Sequence, residues 1–156
     1  MVGWYRKVTN DPNDLSPVVD AIDHFEAVYQ DGRRELDVNE KPVAKIAARL
    51  PGLVEYYHEQ WREITAILEY IELRAEKQHS VAKRAYLENY AKALTDRTAD
   101  NYANTDEDVQ MLRQLAIEVR LVRDKFAGLS KGFEYLHFQL TNIRALRVAQ
   151  MEDALI

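Results

Sequence analysis

From Leu112 to Ile143 the apolar residues of this chain return in steps of three and four: Leu112, Ala116, Val119, Val122, Phe126, Leu129, Phe133, Leu136, Leu140 and Ile143. A second series runs Tyr57, Trp61, Ile64, Leu68, Ile71, Ala75, Gln78, Ala82 and Ala85. A mean spacing near 3.5 residues draws one stripe along a helix, and that stripe must be buried against another helix. No strand-like alternation competes with it. The expected fold is all-α: a helical bundle protomer with two long helices. Two burials satisfy the pattern, a core within one protomer or a C-terminal seam shared between subunits. A chain of 156 residues has few places to bury two seams of this length, which supports packing part of the C-terminal seam against other subunits in a homo-oligomer. The residues expected to assemble it are Phe126, Leu129, Phe133, Leu136, Leu140 and Ile143.

Breakers and caps divide the rest. "SPVVDAIDHFEAVYQDG" reads as a helix with Ser16 as cap, Pro17 in its first turn and Gly32 closing it. A loop is expected around Asp37 to Lys41. "PVAKIAARL" reads as a short helix ending before Pro51, which then opens a long pattern reaching Leu94. Thr95 and either Thr105 or Asp106 are cap candidates in the polar connection. Val109 to Ala154 is helical again, with Gly128 and Gly132 as weak points. Three segments result: 1–50, acidic and helical; 51–105, a central basic helix and its connection; 106–156, the assembling helices.

The net charge of −5 is unevenly spread. Residues 10–40 carry nine acids against Arg33 and Arg34, whereas residues 73–97 carry six cations against three acids. Overall acidity argues against a general duplex-DNA binder and leaves local basic faces open. The acidic first 40 residues either keep an assembly dispersed or mimic nucleic acid towards a basic partner, and the former is favoured. The absence of cysteine removes disulfides, thiolate metal sites and cysteine nucleophiles. No run of 18 apolar residues predicts a membrane span, and "MVGWYRKVTNDPND" has no signal-peptide h-region. A cytoplasmic location is expected.

Three of the four histidines follow a glutamate by three residues: Glu55/His58, Glu76/His79 and Glu134/His137. Two such pairs with two further carboxylates build the di-iron site of ferritin-like bundles. Here each pair occupies heptad positions b and e, beside the seam and leaning towards solvent, whereas di-iron ligands point inward. Salt-linked surface pairs explain the spacing. A ferritin-like protein using Glu55, His58, Glu134 and His137 is therefore an alternative only, and no metal or other cofactor is expected. Phosphate loops, Gly-x-Ser-x-Gly and HExxH are also missing.

Near residue 75 the first seam thins to Ala75, Gln78, Ala82 and Ala85. Around it stand Arg74, Lys77, Lys83 and Arg84, with Tyr86 and Tyr90 nearby. Cations that track phosphates and rings that stack on bases suit single-stranded nucleic acid. A solvated helix face with half-packed tyrosines produces the same composition. Lys92 and Arg97 are weaker candidates.

The run "LRAEKQHSVAKRAYLENY", Leu73 to Tyr90, resembles the central helix of the phage UvsY family of recombination mediators, through Leu73, Arg74, Glu76, Gln78, Val81, Ala82, Arg84, Ala85, Leu87, Glu88 and Tyr90. Trp61 falls at a matching position. "LTDRTADNY" and "KGFEYLHFQLTNIRALRVAQMEDA" are similar to the C-terminal half of such proteins. The resemblance implies a non-enzymatic mediator that binds single-stranded DNA coated by a single-strand DNA-binding protein and helps a RecA-like recombinase load. It further implies a ring of six or seven subunits, joined C-terminally, in the cytoplasm of a phage host. It places the DNA contact on the central helix, where Arg84 stands for a family lysine and Tyr86 for a family arginine. The DNA-contact set is Arg74, Lys77, Lys83 and Arg84, with Tyr86 stacking. A non-catalytic helical scaffold or adaptor is the main alternative.

Overall fold

The computed structural model describes residues 3–38, 42–90 and 93–149, and these are helical with no strand among them. Among the described residues five helices follow in order: α1 Trp4–Asn10, α2 Ser16–Leu36, α3 Val43–Asn89, α4 Asp96–Asn104 and α5 Glu107–Val148. The two long seams therefore become α3 and α5. Among the described residues no helix is long and apolar enough to cross a membrane.

The seams meet each other as an antiparallel hairpin. Tyr57 stacks on Phe133 with ring centroids 5.3 Å apart, Glu72 pairs with Arg120 further along, and Ala82 meets Val109 near the turn. Along α3 the buried residues are Leu50, Tyr57, Ile64, Ile67, Leu68, Ile71, Ala75 and Ala82, and along α5 they follow the expected stripe as far as Leu140. α2 lies along α5 in the same chain direction: Phe25 meets the edge of Phe126, and Leu36 reaches Gly132. α1 packs beside the middle of α2 and α3, with the Trp4 ring 5.0 Å from His24, Val8 in the core and Glu63 accepting from the Tyr5 backbone N–H at 3.0 Å. Among the described residues no polar or charged side chain is buried. Each fully buried large apolar side chain is worth about 1.5–3 kcal/mol over its exposed state.

Beyond Ile71 the bundle thins. α2 no longer reaches α3 there, and α4 takes its place, placing Ala103 against Ala82 and Val109. The alanines that thin the first seam are thus the floor on which a short helix sits. Thr95 caps α4 by accepting from Thr98 N at 3.2 Å. Asp106 caps α5 by accepting from Val109 N at 3.2 Å. Both caps agree with the sequence, but the polar connection is itself a helix.

Several expectations are corrected. Pro51 does not end a helix but lies inside α3. Its ring removes the hydrogen bond to Ala47, yet both residues are exposed, so water can serve the freed carbonyl. Gly32 does not close α2, which continues to Leu36 because its backbone there packs directly on Tyr57 and Leu129. Ser16 opens α2 without capping it; Asp14 accepts from Ser16 N at 2.9 Å and from its Oγ at 2.7 Å. The ends of the expected loop at 39–41, and residues 150–154 of the last helix, lie outside the described residues.

The assembly seam is corrected too. Phe126, Leu129, Phe133, Leu136 and Leu140 are buried inside the protomer, under α2 and α3, and cannot also face another subunit. Of the six residues named for assembly only Ile143 is exposed. A 3.5-residue repeat specifies a buried stripe, and one protomer contains enough helix to bury it.

Candidate nucleic-acid interface

The five residues expected to touch DNA do not share one face. At about 100° per residue, Tyr70, Lys77, Val81 and Arg84 all fall within about 80° of Arg74 around α3, while Tyr86 lies about 120° and Lys83 about 180° away. The stretch is therefore two surfaces with different chemistry.

On the first surface, an open groove of about 420 Å³ is lined by Tyr70, Leu73, Arg74, Lys77, Gln78 and Val81 of α3, by Pro12 and Asn13 before α2, and by Leu112 of α5. None of these lining residues is acidic. The Arg74 guanidinium lies 5.9 Å from the Tyr70 ring centroid. Its Nη1 is shielded from solvent and has no hydrogen-bond partner. An unpartnered buried donor costs about 1–3 kcal/mol, more when charged, so turning the Arg74 guanidinium outward to an acceptor in the groove would recover that cost. Lys77 is exposed at the same groove, and Leu73 and Val81 present apolar surface beside the cations. Arg84 is exposed on this flank, outside the groove.

The second surface faces α4. Lys83 Nζ lies 3.0 Å from Asp96 Oδ2 and 3.6 Å from Asp100 Oδ1. The hydrogen bond to Asp96, with Asp100 adding to it, holds the ammonium above the ordinary lysine value. His79 Nε2 lies 3.5 Å from the same Asp100 carboxylate. Tyr86 packs on the Ala82, Ala103 and Val109 cluster, with its ring 5.4 Å from that of Tyr102, which in turn stacks on Tyr90 at 5.9 Å. Lys83 and Tyr86 thus fasten α4 to α3, and two carboxylates offset the charge there. Arg97 is exposed on α4, and Lys92 lies outside the described residues.

The structure brings together Arg74 and Lys77 and separates them from Lys83 and Tyr86. Sequence reasoning missed Tyr70, Asn13 and Gln78 as groove residues. Tyr70 was within reach of a helical count, because it stands four residues before Arg74. Asn13 was not, because only the tertiary fold carries the loop before α2 to this flank.

The Glu-x-x-His pairs resolve separately. Glu55, His58, Glu134 and His137 line one cavity of about 760 Å³ at the opposite end of the α3–α5 hairpin, with Val54, Phe133 and Phe138. All four are exposed. His58 stacks on Trp61 at 5.4 Å. Among the described residues no three histidine or carboxylate side chains converge as a metal site would require. No family model, no curated protein and no solved structure matches the chain.

Proposed function

We propose that this protein binds single-stranded nucleic acid along the Arg74 flank of α3 and serves as a non-enzymatic recombination mediator, as its resemblance to UvsY-like proteins implies. The observation that supports it is the unpartnered Arg74 Nη1 in a groove that carries Lys77 and no acid. Phosphate oxygens supply the missing acceptor, and Arg84 extends the positive track by about two turns. Exposed Leu73 and Val81 give bases an apolar surface between the cations. The recombinase and the single-strand DNA-binding protein enter this reading through the resemblance alone. Few cations per copy mean weak contacts, which repetition in an assembly strengthens and which permit hand-over of the strand.

Fluorescence anisotropy of a labelled oligo(dT) against a duplex of equal length tests it, at low and moderate salt. Preferential single-strand binding is expected. The Arg74→Ala/Lys77→Ala variant should weaken it and flatten the log–log salt slope by roughly 1.4, about 0.7 per lost contact. Lys83→Ala should change it little, because that ammonium is held by Asp96 and Asp100. Absence of binding at low salt would leave the scaffold reading, which the exposed apolar face of α5 favours.

A further inference from the structure

α5 carries a second heptad stripe on the side away from the core. Ile117, Leu121, Asp124, Gly128, Lys131, Tyr135 and Phe138 follow in steps of four and three, and every one is exposed. The four large apolar side chains among them are 52%, 59%, 67% and 62% exposed, in chain order. Among the described residues no other helix covers Ile117 to Tyr135, and Phe138 at the end of the stripe also borders the cavity that it shares with Val54 and His58. A 3.5-residue stripe of this kind is a helix-pairing surface.

Its order is symmetric about Gly128 except that acid and base trade places: two apolar residues, an acid, glycine, a base, two apolar residues. We propose that a second copy of this chain docks here, with its α5 antiparallel, across a two-fold axis at Gly128. Ile117 then meets the second copy's Phe138, Leu121 meets its Tyr135, and Asp124 meets its Lys131, each pair occurring twice. Charge selects the direction. A parallel pairing sets Asp124 on Asp124 and Lys131 on Lys131, whereas the antiparallel one makes two opposite-charge contacts. Asp124 Oδ1 accepts from Arg123 Nε at 2.9 Å and from its Nη2 at 2.6 Å, which leaves Oδ2 for the incoming lysine. Lys131 forms no ion pair with the described residues. Gly128 costs helix stability of about 1 kcal/mol against alanine, and a Cβ there would meet nothing within 4 Å. The protomer has no use for that glycine, but two backbones approaching at the axis do. The stripe spans about 32 Å of helix. Such an interface closes on itself, so any ring requires a different, heterologous surface. The pairing stands independently of nucleic-acid binding.

The test is sedimentation equilibrium of the full chain with charge-swap variants, all on exposed positions, with circular dichroism to verify folding. The parent is expected to be dimeric at micromolar concentration. Asp124→Lys or Lys131→Asp alone should weaken the dimer at least tenfold, and the double swap should restore it. Gly128→Cys, in a chain with no other cysteine, should give a disulfide-linked dimer on mild oxidation. A monomer at these concentrations, single swaps without effect, or a double swap that fails to rescue would each overturn the proposal. So would a larger assembly indifferent to the swaps.

Discussion

Gly32 of α2 lies against the edge of the Tyr57 ring so closely that a Cβ on the glycine would stand 2.9 Å from Tyr57 Cε1. The same Cβ would overlap the buried Leu129 side chain. Neither neighbour can withdraw, since both belong to the core cluster. Gly32→Ala should therefore destabilise by about 1–3 kcal/mol through overpacking, despite alanine's better helix propensity. Gly52, inside α3, has open space where its Cβ would be. Gly52→Ala should stabilise by about 0.5–1 kcal/mol. Urea unfolding of both variants measures the contrast; equal signs would show that α2 does not press on α3 and α5 at this point.

Phe126 meets Phe25 edge-on at 6.0 Å and Tyr29 at 6.1 Å, and it is fully buried without any second subunit. Phe126→Ala should cost about 3–5 kcal/mol. The loss should be the same at every protein concentration, because the ring's partners are in its own chain. A loss that shrinks on concentrating the protein would return Phe126 to an intersubunit seam.

That contrast marks how far the sequence could be read. The stripes on α3 and α5 were legible because burial imposes a helical period, and two of the caps were legible because Thr95 and Asp106 bond locally. What covers a stripe is not written in its period, which is why five core residues read as an oligomer surface. Pro51 and Gly32 read as helix ends because local rules count them as breakers. In the fold, one sits where water replaces its hydrogen bond and the other where only a glycine fits. α1 went unread because Trp4–Asn10 is too short to show a period. At the candidate site, the cluster of cations was visible, but its division between two flanks depends on where α4 and the loop before α2 land.

Tyr57 is buried beside Phe133, and burial pushes its hydroxyl up to about 12, from an ordinary value of 10.0, with smaller contributions from Tyr56, Glu35 and Asp31. A raised folded value means that the contribution is complete below pH 10 and is lost as pH rises through about 12. Tyr57→Phe should match the parent at neutral pH. In alkaline titration it should remain folded to higher pH, with a gap approaching about 2–3 kcal/mol above pH 12. Coincident alkaline unfolding curves would contradict a buried hydroxyl.

Glu26 accepts from Lys125 Nζ at 2.6 Å and from Gln30 Nε2 at 3.2 Å. The lysine bond holds its carboxyl below the usual glutamate value. A lowered folded value gives stability that is present above the unfolded value of 4.5 and lost as pH falls through the folded one. Both side chains are partly exposed, so Glu26→Gln should cost at most about 1 kcal/mol at pH 7. The difference from the parent should shrink as pH falls below 4.5 and vanish once pH is below the lowered folded value. A difference that stays constant through the whole acid titration would assign the effect to packing instead of charge.

Arg74 offers the sharpest separation of folding from binding. Its Nη1 has no hydrogen-bond partner among the described residues, while its guanidinium lies 5.9 Å from the Tyr70 ring centroid. Arg74→Met keeps an apolar stem of similar course and removes the idle donor. The unliganded variant should be as stable as the parent or more so, by up to about 1–2 kcal/mol, and its affinity for oligo(dT) should fall severalfold. Thermal unfolding without and with oligonucleotide reads both quantities in one experiment, since ligand raises the midpoint only of a protein that binds it. A variant that loses more than about 1 kcal/mol without ligand would show that the guanidinium holds the fold together. Arg74 would then be a structural residue of α3, and the anion site would have to be sought along Lys77 and Arg84.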